Sequence, residues 1–188
     1  MTYRKPLACA LAALALASCL SKEPAIPMHT YVPPLDPLQQ REAPGVRPLR
    51  FQGVEPRVEL RRGMLWRVSA TELVTDEVHR WGRDPSELLA ERLGDLFYAG
   101  GGYRPSLRPG DPTLEVALVV CAGDIREGRS SATLELILTL DTGQAQHRRR
   151  LAVDEPLLTR DAEGLAAAMG KVVSAAADRT EAWVRSKL

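Results

Sequence analysis

The sequence has little lysine, few cysteines and almost no net charge. Only four of its 25 basic residues are lysines (Lys5, Lys22, Lys171 and Lys187), a bias that fits GC-rich coding better than arginine-specific chemistry. These 25 basic residues face 24 acidic ones, for a formal net charge of +1. A chain that coats nucleic acid carries a larger basic excess, which sets that class of partner aside. The three cysteines, Cys9, Cys19 and Cys121, are too few for a disulfide framework. No glycine-rich phosphate loop is present: Gly100-Gly101-Gly102 lacks the Lys-Ser/Thr that must follow and reads as the stop of a helix. No Gly-x-Ser-x-Gly elbow marks a nucleophilic serine. What remains is 188 residues, 45% hydrophobic and 26% charged, the composition of one globular domain.

The first 19 residues carry an address. Arg4 and Lys5 form a basic start, and Leu7 to Ala17 follows as eleven residues without charge. That run is too short for the roughly 20 residues of a membrane-spanning helix and suits a signal segment. It ends in Leu16-Ala17-Ser18-Cys19, a bacterial lipobox: an aliphatic residue, two small residues that let the peptidase reach the backbone, and the cysteine that takes the lipid. The expected division is a lipoprotein signal peptide over 1–18, a lipidated N-terminus and tether over 19–28, and one domain over 29–188. Residue 20 is Leu rather than Asp, so the sorting rule of enteric-type bacteria places the lipoprotein on the periplasmic face of the outer membrane. Cleavage removes Arg4, Lys5 and Cys9, leaving 23 basic and 24 acidic residues, a net charge of −1. With Cys19 lipidated, Cys121 has no partner for an internal disulfide.

Seven of the 14 prolines lie between residues 20 and 49, which marks an extended stretch that forms helix poorly. Alternating patterns then predict strands at Thr30–Val32, Leu49–Val54, Met64–Ala70, Val74–His79 and Tyr103–Leu107. Thr113–Ile125, Ser131–Leu140 and Gln144–Val153 form an expected antiparallel meander. On its first strand Leu114, Val116, Leu118 and Val120 alternate onto one face. Asp84 and Pro85 open a helix with Leu89, Leu93, Leu96 and Phe97 on one stripe. A second helix spans 160–187, with Leu165, Met169, Val172, Val173, Ala176, Thr180, Trp183 and Val184 on its apolar face. The fold class that buries all these faces is α+β: an antiparallel sheet with two amphipathic helices packed on one face.

Candidate chemistry is sparse. Glu77 and His79 would face the same way on a strand and could share one Zn²⁺, but two ligands do not make a metal site. Cys121 sits in an apolar strand with no neighbouring histidine, as a buried inert thiol does. Arg148-Arg149-Arg150 is a basic run on a strand, where the three cannot all face one way. It reads as a solvated edge that discourages strand pairing, or as a contact with an acidic partner or lipid headgroups. Trp183 reads as core, and Trp81, at a strand-to-helix corner, as core or contact surface. Cys19 is thus the expected lipidation site. Trp81, Arg148, Arg149 and Arg150 are the candidate partner contacts, and no catalytic residue, metal or cofactor is expected.

The order of these features resembles the ABC-type transport auxiliary lipoprotein family, the PqiC-like lipoproteins. The likeness runs from Tyr31 to Val184. It starts at Tyr31-Val32-Pro33-Pro34-Leu35 and continues through Val54-Glu55-Pro56 to Met64-Leu65-Trp66-Arg67-Val68. Its most telling part is Glu72-Leu73, then His79-Arg80-Trp81-Gly82, then Pro85 opening a helix with Leu88, Leu89, Leu93 and Leu96. The stretch Arg57 to Met64 is more charged than is usual in the family. The resemblance implies a non-enzymatic role: an outer-membrane partner of an MCE-type lipid-transport system, docked to an MCE-domain protein or to ABC transporter components. It also implies self-association. The alternative readings are an assembly lipoprotein of another outer-membrane machine, for lipopolysaccharide transport or a secretin, and a periplasmic hydrolase built around a Ser-His-acid set or around Glu77 and His79.

Overall fold

A computed structural model describes residues 27–38, 47–57, 62–100 and 102–188. The expected signal peptide, Cys19 and most of the expected tether lie outside the described residues. Eight strands form one sheet: β1 (His29–Tyr31), β2 (Arg47–Pro56), β3 (Gly63–Arg67), β4 (Leu73–Trp81), β5 (Tyr103–Pro105), β6 (Thr113–Asp124), β7 (Ser131–Asp141) and β8 (Gln146–Pro156). Two helices accompany them, α1 (Pro85–Gly94) and α2 (Ala162–Arg185). The fold is α+β and the sheet is mostly antiparallel, in line with the pattern of the sequence.

β6, β7 and β8 form the expected meander, with Leu114 opposite Leu140 and Leu136 opposite Leu151. Its turns use glycine where the backbone must enter the left-handed region, at Gly128 (φ 72°) and Gly143 (φ 76°). The inner face is a continuous apolar surface: Leu134, Leu136, Leu138 and Leu140 are fully buried. α2 covers it with Leu165, Val172, Val173, Ala176, Thr180 and Val184, all at 0% exposure. Asp161 starts α2 by accepting the backbone N–H of Gly164 at 2.8 Å.

One expected alternation fails. A bulge between Leu118 and Val120 consumes one residue of β6, so Val120 pairs with Glu135 and leaves the inner face to Cys121. The bulge keeps Leu114, Val116 and Leu118 in register with the core while switching parity beyond them.

The other edge of β6 is shared. β2 pairs with its first half in parallel, from Arg50 opposite Thr113 to Pro56 opposite Leu118. The chain then leaves and returns as β3, whose Trp66 and Arg67 pair in parallel with Gly123 and Asp124. β4 adds antiparallel to β3, and β1 adds parallel to β4. β5 closes the other end by pairing with β2. Trp66 lies over Gly123, where a Cβ would stand 2.5 Å from the indole ring, so glycine is required by close approach.

α1 begins as its sequence suggests, with Pro85 in the first turn and the Asp84 side chain accepting the Ser86 N–H at 2.8 Å. It passes into a π-helical turn over Asp95–Gly100. The wider turn presents Phe97 to Phe51 and Tyr103, with ring centroids 5.6 Å and 5.7 Å away. The Tyr98 hydroxyl accepts the Phe51 N–H and donates to the Leu49 carbonyl, tying this turn to β2. After β1, the segment 32–38 crosses α2. A Cβ on Gly170 would stand 2.0 Å from the Pro34 carbonyl oxygen, and the Asp36 N–H donates to the Ser174 hydroxyl at 3.2 Å.

Candidate contact surface

The basic run lies on β8, which pairs with β7 along one edge and with no strand along the other among the described residues. Strand parity divides the run. Arg148 and Arg150, opposite Thr139 and Ile137, point to the open face of the sheet; Arg149, opposite Leu138, points to the helix-covered side. All three are exposed. Arg150 is held by Glu135, a fork in which Nη2 donates to Oε2 at 2.8 Å and Nε to Oε1. The Arg150 bond, opposed by partial burial, keeps the Glu135 carboxyl below its ordinary range. Arg148 and Arg149 have no acidic partner among the described residues. On the open face beside them runs a groove of about 490 Å³, lined by Gly53, Glu55, Arg57, Glu115 and Thr139.

Trp81 is not part of that surface. It is 3% exposed and belongs to the core, so it presents no ring to a partner. Its backbone N–H donates to the Arg62 carbonyl at 2.6 Å, at the end of β4 where α1 is about to begin. Trp183 is likewise core.

The acid–histidine cluster forms differently from its expected arrangement. Between Leu65–Thr75 and Gly63–Arg80 the β3–β4 register slips, so residues 76–79 bulge instead of alternating. Asp76, rather than Glu77, becomes the partner of His79: its Oδ1 accepts the backbone N–H of Val78 and of His79, and its Oδ2 lies 2.8 Å from the His79 Nδ1. Trp66 Nε1 donates to the same Oδ2 at 3.3 Å. Burial would raise this carboxyl; the bonds from His79, Val78 and Trp66 outweigh it and hold the group below its ordinary value. The His79 ring packs against His29 and Tyr31 of β1, with centroids 5.6 Å and 5.7 Å away. Glu77 is exposed and outside the cluster. Among the described residues no group of three or more His, Cys, Asp or Glu side chains is placed to hold a metal ion.

Cys121 is 1% exposed, with its thiol 3.7 Å from the Met169 sulfur. Burial, aided by the charge of Asp84, pushes the thiol up to about 12, which leaves it protonated and unreactive.

A second polar recess escaped the sequence reading. Asp36, Arg92, Asp178 and Arg185 line a depression of about 480 Å³ between α1, α2 and the 32–38 segment. Arg92 is 6% exposed. Its signal in the sequence is a charge on the leucine stripe of α1, three residues after Leu89 and one before Leu93.

No family model matches the sequence, and no curated protein matches it. Solved structures do. Protein XCC0632 from Xanthomonas campestris, described with the family model DUF330, aligns with a TM-score of 0.70 and 20% identity, over 83% of this chain and 94% of that one. An uncharacterized protein aligns with a TM-score of 0.61 and 15% identity, over 86% and 98%. The hypothetical protein CT253 from Chlamydia trachomatis aligns with a TM-score of 0.53 and 8% identity, over 76% and 96%. At these identities the likeness establishes the fold alone: the same α+β domain accounts for nearly the whole of each of these three chains.

Proposed function

We propose that the protein is a lipid-anchored, non-enzymatic auxiliary component of an ABC/MCE-type intermembrane lipid-transport system, held at the outer membrane and facing the periplasm. The observation that carries this reading is Leu16-Ala17-Ser18-Cys19 at the end of a basic start and an eleven-residue apolar run. Several acyl chains on one cysteine make a firm anchor where one chain would be marginal. The resemblance of the segment from Tyr31 to Val184 to the PqiC-like lipoproteins supplies the transport assignment.

The mechanism is positional. The lipid fixes the chain to one membrane, the proline-rich stretch sets its standoff, and the domain begins where His29 meets β4. Anchoring confines a partner-binding domain to a thin layer and raises its effective concentration for any partner that reaches it. The partner surface in this reading is the charged edge and open face of the sheet around β8. The hydrolase alternative finds little support. Among the described residues the His79 ring meets Asp76, His29 and Tyr31, with no serine beside it to complete the Ser-His-acid set that this alternative needs.

Fractionation of cells tests the anchor. Wild-type protein sediments with outer membranes, and Cys19→Ala moves it to the soluble periplasmic fraction. Wild-type protein found soluble overturns the membrane claim. Pull-downs of the wild type recover MCE-domain or ABC components; recovery of lipopolysaccharide-transport or secretin components in their place reassigns the machine and leaves the anchor standing.

A further inference from the structure

Three connections lie side by side at one end of the sheet: the β3–β4 turn over 68–72, the β6–β7 turn over 125–130 and the β8–α2 link over 157–161. The Ile125 N–H donates to the Arg67 carbonyl at 3.0 Å and the Leu157 N–H to the Ser130 carbonyl at 2.9 Å, which joins the three in a row. Exposed apolar side chains gather here. Of the seven large ones among the described residues, Val68, Leu73, Val74 and Leu158 lie at this end, and Met28 lies on the chain that enters from it. Val32 and Leu107 lie at the opposite end. The tip of the β3–β4 turn, Val68-Ser69-Ala70-Thr71, carries no charge. Grouped apolar exposure of this kind marks a surface that leaves water for a partner or a lipid.

The direction of the chain brings a membrane to the same end. β4 starts at the tip and runs away from it. β1 runs parallel to β4, with His29 opposite His79 and Tyr31 opposite Trp81, so the residues before His29 lie on the tip side. Ten residue steps separate Cys19 from His29, a reach of at most about 35 Å. The six steps of β4 from Leu73 to His79 take up about 20 Å of it. A chain that continues the line of β1 therefore holds Cys19 no more than about 15 Å beyond the tip. We propose that this end of the domain, led by the β3–β4 tip, sits in the lipid–water interface of the membrane that holds Cys19, with the strands upright on it. The inference rests on the lipid anchor at Cys19 and adds to it which face of the domain meets the lipid.

The tip suits an interface on two further counts. Its backbone is bonded from within: the Val68 N–H donates to the Glu72 carbonyl at 3.2 Å, and the Thr71 and Glu72 N–H groups donate to the Ser69 hydroxyl at 3.3 Å and 3.1 Å. A turn closed on itself gives up fewer bonds to water when it enters the headgroup layer. The charges behind it do not select an anionic lipid. Arg126 and Arg129 turn to the Asp124 carboxylate, at 2.6 Å and 3.6 Å, and Glu72, Glu127, Arg160 and Asp161 add both signs around them. The contact is therefore apolar and indifferent to salt. Upright strands also keep the β8 edge and the open face of the sheet clear of the membrane.

Depth-dependent quenching tests the placement. The full-length lipidated protein is reconstituted into phosphatidylcholine vesicles with Leu73→Cys, Leu158→Cys or Leu107→Cys, each carrying an environment-sensitive fluorophore on the new thiol. Cys19 holds the lipid and Cys121 is buried, so neither competes for the label. Lipids with a nitroxide at headgroup depth should quench the labels at 73 and 158 at least about twice as strongly as the label at 107, and about 1 M salt should not reduce the difference. Adding Val68→Asp with Val74→Asp to the Leu73→Cys chain should bring its quenching down to the Leu107→Cys level while the protein still sediments with the vesicles. Either label quenched no more than Leu107→Cys overturns the inference and leaves the anchor standing. So does a difference that salt abolishes or that the two aspartates leave unchanged. Protein that fails to sediment with the vesicles overturns the anchor and this inference together.

Discussion

The two halves of this domain are held by different physics. β6, β7, β8 and α2 meet across long elements, interrupted by one bulge in β6, whose facing side chains are Leu, Val and Ala at or near 0% exposure. β1 to β5 and α1 share that core through Leu49, Leu89, Leu93 and Phe97, and add shorter strands, two irregular registers and contacts that turn on single atoms: the Tyr98 hydroxyl against β2, the Asp76 carboxylate under His79, and the Pro34 carbonyl seated on Gly170 of α2. Apolar burial is non-directional and spread over many atoms. Polar and close-approach contacts fail when one atom changes. A substitution in the first half should therefore act on the whole domain, and one in the second half on its own neighbourhood.

The largest effect is expected from Leu138→Ala. Leu138 is fully buried at the centre of the inner face, and truncating it leaves a cavity bounded by β7 and α2. Global stability should fall by about 2–5 kcal/mol, read as a shift of the urea midpoint at unchanged slope. A loss under about 1 kcal/mol would mean that the meander and α2 do not form the common core assumed by the comparison.

Gly170→Val, on the face of α2 that receives the 32–38 segment, attacks the seam with the other half. Its Cβ would collide with the Pro34 carbonyl, which is backbone and cannot swing aside. The segment 32–38 should lift from α2, losing the Asp36–Ser174 bond and loosening β1 behind it. Hydrogen exchange should accelerate at residues 29–38 while the amides of β7 keep their protection. Equal loss of protection in both places would break the distinction between the halves.

The same division governs what the sequence disclosed. Leu134, Leu136, Leu138 and Leu140 announced their strand because alternation is the direct imprint of a half-buried pleat. The α2 stripe was equally legible, down to Trp183. Val120 was placed on the wrong face because the bulge beside it leaves no residue-type signature. The parallel seating of β2 and β3 on β6 was invisible, since alternation reports which face is buried and not which strand lies alongside. Asp76-Glu77-Val78-His79 was visible as a cluster, but a regular strand chose Glu77 as the partner where the bulge chose Asp76. Trp81 could be assigned to neither core nor surface from its corner position; packing settled it as core. The division of Arg148, Arg149 and Arg150 between faces followed from parity alone, whereas their position on a free edge required the topology. Cys19, the lipidation site expected from the apolar run before it, lies outside the described residues.

The smallest effect is expected at Asp76, and pH sharpens it. Asp76→Ala removes the acceptor for the Val78, His79 and Trp66 donors. The carboxylate is only partly buried, so water replaces some of these bonds, and the loss at neutral pH should be about 1–2 kcal/mol. Its dependence on acidity follows from the direction of the shift. The folded Asp76 carboxyl sits below its unfolded value, so its contribution is fully present above the unfolded value of about 3.9 and disappears as pH falls through the lower folded value. Urea titrations of wild type and variant should therefore show a stability gap that is open at neutral pH and closes below about pH 4. Asp124, Glu135 and Asp161 are shifted in the same direction and lower the stability of both proteins together, so they cancel from the gap. A gap that stays open well below about pH 4 would show that Asp76 acts through something other than the hydrogen bonds its ionised carboxylate accepts.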